Sequence, residues 1–544
     1  MFTFHLSHNT LPLATGGLHA PSRESDGMYS SNDLLSLNEI SIGKSSFSWL
    51  SSDGLGRIAS VVTSTLLLIP FLSTKTNPIS PKPSSWLFEQ LTRIAKYYSS
   101  GSAAARAETK NADFKFSPDS LHRDFEALTR LSTIDAVILE RQCEGQACGF
   151  NEESVKSFLV AYEKSPGFFM EDYKRVLDVA VNGAHIRVTQ ETFLDTSGPP
   201  MRKLHKRVLH TMMKAVHKLW TKGKGLLFPV RALDENTRAR MNLSAPHWVR
   251  KPDDDDGRFI IDPINLNTEE IKSEAIKDYG FAGLPTIGEI IYSWFDMSER
   301  LARPLNSFRI FKDDINSAFP QFKFHVASCL LLAIMITQDI IFIHLNGNFG
   351  WTGCPMVFAL LGRFILNIAR PLISGSLHLY VDDFMGLSVS EHAHADQDKI
   401  QGLIRQLFGP NSVSLTKCVA PCLIANILGW NVNLETELGR PSDNGIDKLV
   451  FAFVIGTDTS ASISTSHWQC LASLACRYSA CIRGTSPFVA PLYHMVAKSE
   501  SVKRQSCDSS PDASFCIAMW RAVAILLLFD KDCMSVPLSQ MCTP

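Results

Sequence analysis

Apolar residues recur at helical spacing in one stretch of this chain and gather into short runs in another. Phe125, Leu128 and Leu131 follow Ser117-Pro118-Asp119, where a proline can occupy the first position of a helix. Ser154, Phe158 and Tyr162, and then Val176, Val179 and Val181, predict further helices. From about 245 to 430 the apolar runs shorten and are broken by turns, an α+β texture. There 310–319, 340–345 and 377–387 predict strands, and 356–368, apolar on nearly every face, predicts a buried helix. Beyond 430 the pattern is helical again: Trp468, Leu471, Ala475, Tyr478 and Ile482 keep the spacing, and Gly484 and Pro487 close the run.

Length and composition narrow this picture. At 544 residues the chain exceeds what one core usually organises, so two to four domains are expected. Residues 1–110 are rich in Ser, Gly, Thr and Pro and predict a largely disordered tail, because such a stretch buries too little apolar surface to offset its ordering entropy. Residues 111–240 predict a helical region containing the segment 202–231, which carries nine Lys or Arg and no acid. Leu204, Val208, Met212, Ala215 and Leu219 give that segment an apolar stripe. A solvated face opposite a core stripe and a contact to a phosphate backbone fit its composition equally. With 53 Lys and Arg against 54 Asp and Glu, the net charge of −1 excludes a wholly basic coat, so a nucleic-acid partner needs local patches.

Thirteen irregularly spaced cysteines do not form a disulfide framework, which predicts a reducing intracellular setting, cytoplasm and/or nucleus. The start lacks the pattern of a secretory signal. The apolar stretch 58–72 is too short for a span and predicts a buried helix, so no stable membrane association is expected. Cys143 with Cys148, and Cys418 with Cys422, lack the spacing and second ligand pair of a zinc site.

The chemistry lies in three ordered features. Phe311-Lys312-Asp313-Asp314-Ile315-Asn316-Ser317-Ala318-Phe319 is an apolar strand ending in a carboxylate, with an aromatic five residues later. Asn348-Phe349-Gly350-Trp351-Thr352-Gly353-Cys354-Pro355 is a glycine-bearing loop. Tyr380-Val381-Asp382-Asp383 joins two apolar runs at adjacent aspartates, where a tight hairpin prefers Asn-Gly or Asp-Gly. Like charges at a hairpin tip are unfavourable unless a cation neutralises them, and such breaches of local rules are expected at functional sites. Mg²⁺ keeps oxygen ligands, and two such ions can activate a hydroxyl and stabilise a leaving oxygen in phosphoryl transfer.

The Tyr380–Asp383 motif resembles the palm hairpin of retroelement reverse transcriptases, of the DIRS-like and long-terminal-repeat type. The segment from Asp314 to Phe319 is similar to the family's preceding Asp-x-x-x-Ala-aromatic motif, and Phe349 to Pro355 to the loop between the two. Val249-Arg250-Lys251-Pro252 through Asn267 resembles the fingers hairpin, with Lys251 and Arg258 seven residues apart and Asp262, Leu266 and Asn267 in its tail. Lys417, then Ile427-Leu428-Gly429-Trp430, resembles the end of the palm, and Trp468 to Met495 the thumb or connection.

The resemblance implies an α+β right-hand polymerase: fingers at 241–309, palm at 310–430 and helical thumb or connection at 431–544, behind the helical region and the tail. It implies an RNA-directed DNA polymerase of a retrotransposon, which extends a primer 3′ end with deoxynucleoside triphosphates on an RNA template, with DNA as a further template. Asp314, Asp382 and Asp383 would hold two Mg²⁺ ions, with Mn²⁺ as the alternative. Lys251 and Arg258 would contact the triphosphate, with Gly350 in the nucleotide-binding loop. Phe319 would lie beneath the sugar and exclude a 2′-hydroxyl; an ordinary core aromatic is the other reading. Lys417 would protonate pyrophosphate or stand in solvent.

Two positions depart from the family pattern: Phe349 replaces a common Gln, and Pro263 follows Asp262 in place of an aromatic and Arg. No ribonuclease H, protease, integrase or recombinase segment is legible, so the chain is expected to be one piece of an element. The alternatives are a catalytically decayed or domesticated relative that binds nucleic acid, and a coat-like protein built on the first 240 residues.

Overall fold

The computed structural model describes residues 86–97 (without 88 and 96), 118–145, 149–188, 206–251, 254–337, 339–457, 463–482, 484–502, 504–505 and 510–542. They form a mixed α/β fold. Its main strands, in chain order, are β1 (Gly225–Pro229), β2 (Leu243–Lys251), β3 (Asp254–Asp262), β4 (Phe308–Asp314), β5 (Ala333–Thr337), β6 (Ile340–His344), β7 (Ser376–Tyr380), β8 (Asp383–Val389), β9 (Val419–Cys422), β10 (Ile424–Ile427), β11 (Trp430–Asn433) and β12 (Leu438–Pro441).

One five-stranded sheet has the order β1-β6-β5-β2-β3, antiparallel except where β2 runs parallel to β5. A four-stranded antiparallel sheet has the order β7-β8-β4-β9. A third sheet joins β10, β11 and β12 to the short strand Val536–Pro537.

The four-stranded sheet sits between two apolar cores, and strand alternation divides its side chains between them. Phe311, Ile315, Leu377 and Phe384 enter a core that also takes residues from Ile134 to Ile186 and the helix Gly353–Ala369. Phe308, Ile310, Met385 and Leu387 enter a second core built with the helices Ile287–Arg300, Thr465–Ser479 and Pro511–Phe529. Each large side chain so buried contributes about 1.5–3 kcal/mol. A sheet clamped from both sides is a rigid base for groups at its end.

The buried helix at 356–368 is present as Gly353–Ala369, with nearly every face covered. The strand expected over 310–319 ends at Asp314, because Ser317 takes φ +52° and Phe319–Gln321 forms a 3₁₀ turn through Pro320. The run 377–387 forms the expected hairpin, with β7 and β8 meeting at the adjacent aspartates. Helix does not resume directly after 430: β11 and β12 come first.

The basic segment 202–231 is helical only over Lys206–Thr221, and 225–229 is β1. Of its stripe Met212 is buried and Ala215 and Leu219 are half-buried, Val216 beside them is buried, and Lys218 and Lys222 are exposed. Gly223, at φ +69°, turns the chain just past that helix, and Gly225 opens β1, which pairs with β6, a long-range contact that charge and local spacing do not reveal. Trp220 anchors it, donating from Nε1 to Asp124 Oδ2 at 2.8 Å.

Most of the expected tail 1–110, with the stretch 58–72, lies outside the described residues. Its described part is helical rather than disordered: Leu91, Ile94 and Ala95 are buried in the second core, and Arg93 makes a two-pronged bond to Asp447 at 2.8 and 2.9 Å. Leu91, Ile94 and Ala95 lie on one helical face, which lets a short helix dock where composition alone argues against order. Two described helices, Gly353–Leu372 and Pro511–Phe529, are long and apolar enough to cross a membrane, and both are mostly buried inside the protein.

Candidate active site

Asp314 and Asp383 are direct partners across the β4–β8 ladder. Tyr380 pairs with Asp383, so Val381 and Asp382 form a two-residue hairpin loop. Val381 has φ +55°, a conformation that suits glycine and penalises a β-branched residue. The turn is held from the side, since Ile315 N donates to Asp382 O at 3.1 Å. The loop therefore folds back on the end of β4 and brings its carboxylate beside the other two.

The outcome is a cluster in which one carboxylate oxygen from each of Asp314, Asp382 and Asp383 lies within 4.8 Å of the others. Burial, together with Asp383 and Asp314 alongside, pushes the Asp382 carboxyl up to about 6. Burial raises Asp383 as well, against the opposing pull of Lys312. Three hard oxygen donors crowded to the point of mutual repulsion are a donor set that a divalent metal ion relieves. The residues fit such an ion.

Two lysines already meet the cluster. Lys417 Nζ lies 2.8 Å from Asp314 Oδ1 and 3.0 Å from Oδ2. Its loop is stitched to the end of β4: Asn316 N donates to Ser412 O at 2.6 Å and Ser414 N to Asp314 O at 2.9 Å. Lys417 is thus ion-paired rather than simply solvated. Lys312 Nζ lies 2.8 Å from Asp383 Oδ2. Sequence reading passed over Lys312, although it stands two residues before Asp314 and alternation puts both on one strand face.

Asp313 points the other way and is fully buried. Its Oδ1 accepts from Gln397 Nε2 at 3.0 Å and Gln401 Nε2 at 2.8 Å, which ties the helix Ala393–Phe408 to β4 directly behind the cluster. Burial holds the Asp313 carboxyl above the usual range, with the two glutamines opposing. Neither glutamine carries a sequence signal, since they lie 84 and 88 positions away.

The glycine loop sits against β3. Ile261 N donates to Phe349 O at 3.2 Å, and a Cβ on Gly350, at φ +133°, would fall 2.0 Å from Ile261 O. Glycine is required there by close backbone approach. Asn267 clamps the loop, donating to Gly350 O at 2.8 Å and accepting from Thr352 N at 2.9 Å.

Phe319 is buried, with ring centroids 5.0 Å from Phe349 and 6.2 Å from Phe358, both edge-on. The departure at Phe349 is therefore a packing contact with the other aromatic of the motif. Lys251 and Arg258 lie on the β2–β3 hairpin, where Val249 faces Arg258 and Lys251 faces Asp254. The roles expected of their side chains fall outside what is described.

No protein-family model matches the sequence, and no curated protein matches it. Solved structures do. The foamy viral protease-reverse transcriptase dRH in complex with double-stranded DNA aligns with TM-score 0.40 and 14% identity over 69% of this chain and 61% of that one. The foamy viral protease-reverse transcriptase with an RNA/DNA hybrid gives 0.38 and 12% over 68% and 46%. The same protein with double-stranded DNA gives 0.39 and 13% over 68% and 71%. The chain spans less than two thirds of the first two.

Proposed function

We propose that this protein is a template-directed nucleotidyltransferase, an RNA-directed DNA polymerase of retroelement type with fingers, palm and helical thumb. The observation that carries the reading is the convergence of Asp314, Asp382 and Asp383, 68 residues apart along the chain, on one strand end and its neighbouring hairpin.

In this reading Asp314 and Asp382 hold Mg²⁺ or Mn²⁺, with Asp383 in support. The ions, when bound, supply the positive charge that activates the primer 3′ hydroxyl and offsets the charge developing on the phosphate oxygens. The hydroxyl attacks the α-phosphorus of the incoming deoxynucleoside triphosphate, and pyrophosphate leaves. Lys251 and Arg258 steady the triphosphate, whose oxygens match a guanidinium fork and an ammonium point charge. The Asn267 clamp supports the reading of 350–352 as a fixed nucleotide-binding loop, and in this reading the Phe319 ring lies under the sugar, where it denies room to a 2′-hydroxyl. Lys417 stands close enough to Asp314 to serve the departing pyrophosphate as an acid.

A primer-extension assay with the purified full chain tests this, using RNA and DNA templates in Mg²⁺ and in EDTA. Extension in Mg²⁺ that Asp382→Asn and Asp314→Asn reduce by roughly a thousandfold or more is expected. A well-folded wild type that binds a primer–template and never extends it would replace this reading with that of a decayed nucleic-acid-binding relative.

A further inference from the structure

Lys312 and Lys417 approach the carboxylate cluster from two sides and in two ways. Lys417 takes both oxygens of Asp314, at 2.8 and 3.0 Å, from a side chain that is 51% exposed. Lys312 takes one oxygen of Asp383, at 2.8 Å, from a side chain that is 24% exposed. Among the described residues Asp382 has no ion pair with a lysine or arginine. We propose that Lys417 is an exchangeable counter-cation that competes with divalent metal for Asp314, while Lys312 is a fixed one that keeps Asp383 neutralised. This rests on the metal centre proposed above and deepens it.

The physical ground is charge and space. An ammonium lying across both oxygens of a carboxylate covers the edge by which a metal ion would chelate it. A singly and a doubly charged cation on the same oxygens also repel each other strongly in a partly buried setting. Loading at Asp314 therefore requires the Lys417 side chain to leave. Its exposure gives it solvent to leave into, and its four-carbon stem gives it reach. Lys312 has less room: its backbone is paired with Met385 in the β4–β8 ladder, and it stands diagonal to Asp383. The consequence is a lowered affinity. Metal must displace an internal cation to bind at Asp314, and the displaced ammonium then stands free beside the site, available to a polyphosphate.

Two measurements on the full chain test this without reference to polymerase activity. In the first, Mn²⁺ binding is followed by the loss of the free-ion paramagnetic resonance signal. Lys417→Met is expected to tighten binding roughly tenfold, about 1.4 kcal/mol, and Lys417→Arg, which keeps the charge, to stay near wild type. In the second, brief acetylation of wild type is read residue by residue by mass spectrometry. Mg²⁺ is expected to raise the reactivity of Lys417 several-fold and leave that of Lys312 low; this readout needs no variant to fold. Unchanged or weaker Mn²⁺ binding in a folded Lys417→Met, or a Lys417 reactivity indifferent to Mg²⁺, overturns the exchange. If Asp382→Asn binds Mn²⁺ as wild type does, the metal centre itself is absent and the proposed function falls with it. Loss of binding in Asp382→Asn with no effect at Lys417 sinks the exchange alone.

Discussion

Gly386 lies directly opposite Phe311 in the β4–β8 ladder, and a Cβ placed on Gly386 would come 2.1 Å from Cζ of the phenylalanine ring. The ring covers the missing side chain and presses the hairpin strand flat against β4, three residues after Asp383. Gly386→Ala is expected to destabilise the fold by about 1–3 kcal/mol through overpacking. The double variant with Phe311→Leu should recover part of that loss. Thermal melts of the three variants check the coupling; additive losses would mean the ring is not what the methyl meets.

Val381 holds φ +55° at a loop position that glycine fills without strain. Val381→Gly is expected to leave stability unchanged or raise it by about 1 kcal/mol, as relief of left-handed strain is set against the greater flexibility of glycine. The same change frees Asp382 to wander, so extension should fall while the melting temperature does not. A denaturation midpoint lowered by the glycine would contradict the strain account.

Asn267 bridges Gly350 O and Thr352 N with the two ends of one amide. Asn267→Ala removes both bonds, at a cost of about 1–3 kcal/mol for the partly buried backbone groups left behind. Hydrogen exchange at Thr352 N–H should accelerate selectively, and the KM for deoxynucleotide should rise more than kcat falls. Unaltered protection at Thr352 would place the loop's stability elsewhere.

Acid should unfold the protein earlier than its carboxylates alone would dictate. Burial holds His344 down to about 3 and His467 down to about 4; burial, with Arg370 nearby, holds His378 at about 4. Each is neutral in the fold, whereas in the unfolded chain each takes a proton below about 6.5. Their contribution is complete above that pH and drains away as the pH falls toward 4. Each costs about 2 kcal/mol at pH 5. Urea titrations between pH 8 and pH 5 should show the steepest loss below 6.5, and His344→Phe, beside Phe342 and Phe259, should flatten the slope. Equal slopes in variant and wild type would remove His344 from the account.

Order along the chain determined a good deal by itself. An apolar run ending in Asp314, a glycine loop and the adjacent pair Asp382–Asp383 announce a strand, a tight approach and a charged hairpin, because strand alternation and turn preference act over a few residues. The same local rules announced the buried helix Gly353–Ala369. Tertiary structure decided how those pieces are charged and held. It gave Lys417 to Asp314, Lys312 to Asp383 and two glutamines to Asp313, and it moved helix Lys206–Thr221 onto the five-stranded sheet. Those pairings depend on which side chains two apolar cores leave at the end of one sheet, and burial acts between residues a hundred positions apart, where no local periodicity reaches.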